Sequence, residues 1–214
     1  MAEYEKKVRD ILKENNCCFE RRGKGDPMLT YTIIAGVNGV GKSSLTGVLK
    51  AERNDLGYII DVDKIAVESK INALDAGKIA LTKINDYLSR EISFSQETTL
   101  SGQRTEKTVK LAKEKGYTIR MFYIGLNTQD ESIKRIQNRV EKGGHNIPND
   151  DVDRRFNKRF DNLLKILPYC DEVNLFDNEN GFIEVGEYKN GELIPKGEYK
   201  PAWMKELARE LQIK

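Results

Sequence analysis

The sequence lacks the features of membrane and secreted proteins. No apolar run is long enough to cross a bilayer, and the N-terminus has no apolar stretch of the secretory type. The cysteines are only Cys17, Cys18 and Cys170, an odd number without metal-ligand spacing. Reduced thiols are the simplest interpretation, so we expect a cytoplasmic protein.

The chain also lacks an excess of charge of either sign. Its 36 basic and 34 acidic residues leave a net charge of +2, which gives no reason to expect a nucleic-acid or membrane partner. Neither an internal repeat nor a low-complexity tract is evident, and 214 residues are enough for one domain with a small appendage. Local motifs must therefore indicate the function.

The segment from Gly36 to Ser43 fits the phosphate-loop pattern G-x-x-x-x-G-K-[ST]. Glycines let such a loop wrap closely around phosphates and turn its N–H groups inward. We expect Lys42 to reach the β- and γ-phosphates and the Ser43 hydroxyl to hold Mg²⁺. The alternative is a glycine-rich turn with an incidental lysine. The residues predicted to bind a nucleoside triphosphate here are Gly36, Asn38, Gly39, Val40, Gly41, Lys42, Ser43 and Ser44.

Strand and helix patterns alternate along the chain, beginning with a strand at 31–35 and a helix at 42–53 around the loop. This alternation predicts a three-layer α/β fold of the P-loop kinase type, with a mostly parallel five-stranded sheet and the active site at the carboxyl ends of the strands. Asn190-Gly191 predicts a C-terminal hairpin, with a helix after it. We divide the chain into an N-terminal helix and linker (1–28), a core (29–178) with a helical lid at about 130–167, and the hairpin and helix (179–214).

Two acidic residues follow predicted strands at this edge. Asp63 either accepts the proton of a hydroxyl that attacks the γ-phosphate or caps a helix that begins near Lys64. Glu97 ends the third strand, and three roles are open for it. It binds substrate hydroxyls, joins the Mg²⁺ shell, or makes a structural pair with a lysine.

Basic residues cluster in the helix–loop–helix after the fourth strand, as in the lid of a small kinase. Arginine forks stabilise the charge that spreads over a transferring phosphoryl group; alternatively, they face solvent and pair with nearby acids. We expect Arg139 to reach the phosphates. His145, in the lid loop, either donates to a phosphate or is an exposed loop residue. The cluster consists of Arg135, Arg139, Arg154, Arg155, Lys158 and Arg159.

In their order, these motifs resemble the zeta-toxin family of P-loop kinases over roughly Ile33 to Asn178. The resemblance rests on the phosphate loop and on the segments 60–63, 97–102, 139–148 and 154–156. It implies an ATP- and Mg²⁺-dependent kinase that phosphorylates a sugar hydroxyl of a nucleotide sugar. The toxin members use UDP-N-acetylglucosamine, and their partner is an antitoxin protein.

The same resemblance implies roles for individual residues. Asp63 matches the catalytic base, and Arg139 matches an arginine at the γ-phosphate. Two positions depart from the family, because His145 and Ser101 stand where toxins have arginines; Arg104, Arg154 and Arg155 are candidates to compensate. The implied site comprises Asp63, Glu97, Thr98, Thr99 and Arg104 toward the substrate, and Lys42, Arg139, His145 and Arg155 toward ATP. Two alternatives to a kinase stay open, a nucleotide hydrolase and an ATP-binding interaction module without turnover.

Overall fold

The computed structural model describes residues 28–144 and 146–213. The helix predicted near the N-terminus and the side chain of His145 therefore lie outside the described residues. No helix in the described part of the chain is long and apolar enough to span a membrane.

Strands and helices alternate through the described chain, as the sequence predicts. The first half contains β1 (Thr30–Ala35), α1 (Lys42–Glu52), β2 (Tyr58–Ile60), α2 (Val62–Ser69), α3 (Ala73–Ser89), β3 (Phe94–Thr98), α4 (Arg104–Glu114) and β4 (Thr118–Gly125). The second half contains α5 (Gln129–Glu141), α6 (Asn149–Asn157), α7 (Arg159–Ile166), a 3-10 turn (Leu167–Tyr169), β5 (Glu172–Asp177), β6 (Ile183–Lys189), β7 (Glu192–Pro195) and α8 (Ala202–Ile213).

All seven strands of the described residues form one sheet, in the order β2-β3-β1-β4-β5-β6-β7. The first five are parallel, which confirms the predicted three-layer α/β fold with a mostly parallel sheet. The hairpin extends this sheet, because β6 pairs antiparallel with β5 and β7 with β6. The pairing supplies β5 with hydrogen-bond partners on both sides and leaves β7 as the edge.

Strand β1 is the middle one of the five parallel strands and is buried along its whole length. Because side chains alternate across a strand, Ile33 enters the core on one face and Ile34 the core on the other. The first core also contains Phe94 and Trp203 and is covered by α3, α4, α7 and α8, and the second is covered by α1. The phosphate loop leaves β1 at its carboxyl end and is thus fixed to the most rigid part of the fold.

Apolar residues at helical spacing from about residue 149 to 167 predict a single helix at the end of the lid, but the structure has two helices there. The backbone of Lys158, with φ −99° and ψ 9°, turns the chain between α6 and α7. Arg159 then lies over the rings of Phe156 and Phe160, with its guanidinium carbon 4.0 and 4.3 Å from their centroids. Periodicity did not indicate this break, because apolar residues continue at helical spacing across it.

We expect Gly125→Ala to destabilise the fold by about 1–3 kcal/mol or more, because a side chain there would overpack the core. A Cβ at Gly125 would lie 2.1 Å from Cε2 of Trp203, which is itself fully buried. Urea unfolding measures the change. Gly47→Ala is the matched control, since Gly47 lies in the exposed face of α1 with open space around it; alanine there should stabilise by up to about 1 kcal/mol. Equal stability of Gly125→Ala and wild type would contradict the packing described.

Candidate active site

The phosphate loop is closely packed by its neighbours at two glycines. Gly39 and Gly41 have φ values of 76° and 94°, in the left-handed region that favours glycine. A Cβ on Gly39 would lie 2.8 Å from the carbonyl oxygen of Ser132, and one on Gly41 would lie 2.6 Å from Nδ2 of Asn178. The loop therefore needs glycine at both positions for its conformation and for its surroundings.

Lys42 is held on the carbonyl groups of its own loop. Its Nζ donates to the oxygens of Gly36 and Val37 at 3.0 and 3.1 Å. Burial lowers the pKa of Lys42 to about 8, against the opposing effects of the carboxylates of Glu97, Asp63 and Asp61, while Arg139 adds to the lowering. The charges of three other predicted site residues, Asp63, Glu97 and Arg139, thus act on the pKa of Lys42.

Glu97 connects the end of β3 to helix α1. Its two carboxylate oxygens accept hydrogen bonds from Oγ of Ser43 at 2.8 Å and Oγ1 of Thr46 at 2.6 Å. The side chain is only 8% exposed, and burial raises its pKa although both hydroxyl groups oppose that shift. Hydroxyl and carboxylate oxygens are the ligands that Mg²⁺ prefers, so Ser43 and Glu97 together fit a metal site beside the phosphate loop.

The helix cap predicted as one alternative for Asp63 is supplied by Asp61. Oδ1 of Asp61 accepts from the backbone N–H groups of Asp63 at 2.9 Å and Lys64 at 3.3 Å, and α2 begins at Val62 rather than near Lys64. Burial raises the pKa of Asp61, and the nearby charge of Asp63 adds to this, against the two backbone hydrogen bonds. Asp63 is exposed in the first turn of α2 and has no capping role.

Two lid helices contact the loop through Asn38, which is 7% exposed. Its carbonyl oxygen accepts from Oγ of Ser132 in α5 at 2.7 Å. Its side-chain oxygen accepts from Nη1 of Arg155 in α6 at 2.9 Å. Arg155 therefore lies at the phosphate loop, next to a residue that was itself predicted to bind the nucleotide.

The other basic residues of the cluster have separate roles. Arg135 donates to the carbonyl oxygen of Asn178 at 2.6 Å and pairs with Glu131. Arg154 pairs with Asp151 at 2.6 Å on the exposed surface, as in the solvent-facing alternative. Arg159 is buried and pairs with Glu206 of α8. Arg139 acts on the pKa of Lys42, Arg155 hydrogen-bonds the side chain of Asn38 in the loop, and Arg135 lies with its Cβ beside Gly39.

The segment after β3 forms a compact turn at the same edge of the sheet. Oγ1 of Thr98 accepts from the N–H of Leu100 at 3.0 Å and lies 3.3 Å from Oγ1 of Thr105. The hydroxyl groups of Thr99 and Ser101 are 2.7 Å apart, and Arg104 is exposed at the start of α4. These residues thus flank the end of β3, while the Glu97 carboxylate lies against α1.

Sequence reasoning did not select Thr46, Ser132 or Asn178. Thr46 lies one helical turn after Lys42, on the buried face of α1. A polar residue at this position could have indicated a contact with the site. Ser132 is a buried polar residue in α5, and Asn178 directly follows β5, at the carboxyl edge where sites are expected.

No family model matches the chain. The structure is similar to a chain of the PezAT chromosomal toxin–antitoxin system of Streptococcus pneumoniae, with a TM-score of 0.65, 18% identity, and coverage of 99% of this chain and 93% of that one. It is also similar to a chain of the AvrRxo1-ORF1:-ORF2 complex with ATP, with a TM-score of 0.60, 15% identity, and coverage of 96% and 67%. The chain therefore shares the fold of these two chains, as expected from its resemblance to the zeta-toxin family.

A comparison of sequences shows a protein of the same family. An uncharacterized protein of Haemophilus influenzae is 34% identical over 129 residues, which span 58% of this chain and 90% of that protein. The chain belongs to the same family as this Haemophilus influenzae protein.

The lowered pKa of the Lys42 amine predicts a pH-dependent stability. Its folded-state pKa of about 8 lies below its ordinary value of 10.5, so between these values the unfolded chain binds more protons. The contribution of Lys42 to stability must then rise with pH in this window, by at most about 1.4 kcal/mol per pH unit. The free energy of unfolding of wild type minus that of Lys42→Met, measured in urea from pH 7.5 to 10, should increase. A difference independent of pH would contradict the lowered pKa.

Proposed function

We propose that the protein is an ATP-dependent kinase that transfers the γ-phosphate to a hydroxyl group of a sugar or nucleotide sugar, of the UDP-N-acetylglucosamine type. The observation that carries the proposal is the hydrogen bond between the Glu97 carboxylate and Ser43 of the phosphate loop. The charges of Asp63 and Arg139 also act on the pKa of the loop lysine Lys42. A base, a metal-binding carboxylate and a lid arginine around one phosphate-binding amine are the groups that phosphoryl transfer needs. The fold shared with a chain of a complex with ATP supports ATP as the donor.

Each group has a role in the transfer. The acceptor oxygen attacks the γ-phosphorus, the bond to the bridging oxygen of ADP breaks, and Asp63 receives the proton of the acceptor hydroxyl. Lys42 exchanges the carbonyl oxygens of Gly36 and Val37 for phosphate oxygens. Arg139 neutralises the charge that develops on the transferring group. His145 in the lid loop is proposed to donate a further hydrogen bond to the phosphates.

Ser43 and Glu97 would hold Mg²⁺, which, when bound, neutralises charge on the phosphates. The hydrogen bond of 2.8 Å between their side chains already places both oxygens together. This geometry favours the metal-binding alternative for Glu97 over direct binding of the acceptor. Thr98, Thr99 and Arg104 are then the residues proposed to bind the acceptor, with the exposed guanidinium of Arg104 available to a diphosphate group.

The likeness to a chain of a toxin–antitoxin system supports two further proposals. An antitoxin protein is the proposed partner, and the cytoplasm is the proposed location. Both follow from the zeta-toxin-like fold together with the sequence resemblance.

A nucleotide hydrolase is the second candidate function. Glu97 lies at the end of a strand and is hydrogen-bonded to Ser43, and a carboxylate in this position can also assist the attack of water on the γ-phosphate. The test is incubation with ATP labelled at the γ-phosphate and a panel of sugar nucleotides. A kinase gives a labelled sugar nucleotide, a hydrolase gives inorganic phosphate whether or not an acceptor is present, and an interaction module gives no turnover. Lys42→Ala is the control and should give no transfer, because it removes the charge at the transferring group.

We expect Asp63→Asn to reduce transfer by about 10²–10⁴-fold, because it removes the proton acceptor and keeps the size of the side chain. ATP affinity and the melting temperature should stay near wild type, since Asp63 is exposed and caps no helix. Asp61→Asn is the matched control, because asparagine caps a helix about as well as aspartate. Loss of transfer in Asp61→Asn with normal transfer in Asp63→Asn would identify Asp61 as the base.

We expect Arg139→Ala to lower kcat by on the order of 10²-fold or more and to leave the ATP affinity mostly intact, because Arg139 acts on charge that develops in the transition state. Arg154→Ala is the matched control; it removes an arginine that pairs with Asp151 at the surface, and its kinetics should stay near wild type. Steady-state kinetics and a binding titration separate the two parameters. A collapse of ATP affinity with unchanged kcat would make Arg139 a ground-state contact.

A further inference from the structure

Two side chains outside the phosphate loop hold the carbonyl groups of its backbone. Ser132 in α5 donates from Oγ to the carbonyl oxygen of Asn38 at 2.7 Å. Asn178, directly after β5, donates from Nδ2 to the carbonyl oxygen of Val40 at 2.8 Å. The bonds reach the loop from separate parts of the chain.

Because the peptide bond is planar and trans, these two hydrogen bonds to carbonyl oxygens also fix the direction of the N–H groups that follow them in the loop. In each peptide unit the carbonyl and the following N–H point in opposite directions. A carbonyl of Asn38 that is directed at Ser132 therefore directs the N–H of Gly39 away from α5, and a carbonyl of Val40 directed at Asn178 directs the N–H of Gly41 away from β5. Inward N–H groups are what a phosphate loop uses to bind its anion.

Arg135 connects the two holding residues. It lies one helical turn after Ser132, and its Nη2 donates to the carbonyl oxygen of Asn178 at 2.6 Å. Its guanidinium also pairs with Glu131 in the preceding turn of α5. The three residues thus form a brace, which we define as Ser132, Arg135 and Asn178, between the lid helix α5 and the end of β5.

The brace is fixed at its other end by the C-terminal segment. Asp177, the neighbour of Asn178, is 1% exposed. Its carboxylate accepts from Nε1 of Trp203 at 2.7 Å and from the hydroxyl of Tyr199 at 3.3 Å. Because hydrogen bonds hold the preceding residue Asp177 in place, the side-chain amide of Asn178 is favoured in one direction.

We propose that Ser132 and Asn178, tied together by Arg135, are positioning residues that orient the Gly39 and Gly41 amides toward the phosphates of the nucleotide. The inference rests on the proposed ATP site, and it concerns residues that do not themselves touch the phosphates. Loss of the brace should weaken binding of the phosphate chain itself, whatever nucleoside is attached.

The test compares binding of ATP and of inorganic tripolyphosphate by calorimetry. Asn178→Ala and Ser132→Ala should each weaken both probes by about tenfold, since each removes one hydrogen bond that fixes the loop. Asn178→Asp should weaken them more than Asn178→Ala, because it directs an acceptor at the carbonyl oxygen of Val40. The new carboxylate also repels the phosphates, so Asn178→Ala, which adds no charge, is the variant that decides the inference. Asn180→Ala and Asn180→Asp are matched controls for truncation and charge in the same exposed loop and should bind as wild type.

The outcomes separate this inference from the proposed function. If wild type binds both probes and the Asn178 and Ser132 variants bind them equally well, the brace is wrong and the ATP site stands. If Asn178→Ala loses affinity for ATP but not for tripolyphosphate, Asn178 acts on the nucleoside, which also overturns the inference. If wild type binds neither probe, both proposals fail. Melting temperatures without ligand, near wild type for the Ser132 and Asn178 variants, show that the loss is not one of folding.

Discussion

The close packing around the phosphate loop is the constraint on which the rest of the site depends. Space for a side chain is missing where Gly39 meets the backbone of α5 and where Gly41 meets Asn178. The loop is continuous with β1, which is fully buried and is the middle one of the five parallel strands. The lid helix α5 and the end of β5 therefore contact the same loop, and we expect a displacement of either to reach the amides proposed to bind the anion.

Opposite charges in the site stabilise one another against burial, whereas the like charges of Arg139 and Lys42, and those of the neighbouring carboxylates, act in the other direction. Burial lowers the pKa of Lys42 and raises the pKa values of Asp61 and Glu97, so it disfavours the charged form of each group. The carboxylates oppose the effect on Lys42, and the hydroxyl groups of Ser43 and Thr46 oppose the effect on Glu97. Preorganised charges of this kind change little in position during a reaction, which is the condition for strong electrostatic stabilisation of a transition state.

Features formed by neighbouring residues could be predicted from the sequence, and features formed by residues far apart in the chain could not. The phosphate loop and the alternation of strands and helices are local patterns, and both were predicted. The contacts of Ser132 with Asn38 and of Asn178 with Val40 join residues 94 and 138 positions apart, so no local pattern indicated them. The seven-stranded sheet likewise depends on the docking of β6 against β5, whereas the sequence predicted only the hairpin itself.

The basic cluster shows why helical spacing alone does not assign a site. Arg155 and Arg159 are one turn apart in sequence, and a continuous helix would place them on the same face. The turn at Lys158 separates them, so that Arg155 contacts Asn38 in the phosphate loop and Arg159 contacts Glu206 in α8. The guanidinium of Arg159 makes cation–π contacts with two aromatic rings of the lid. With the ion pair to Glu206, these contacts hold the lid against the C-terminal helix. The break between α6 and α7 therefore divides the lid into a part that faces the loop and a part that holds the lid to the core.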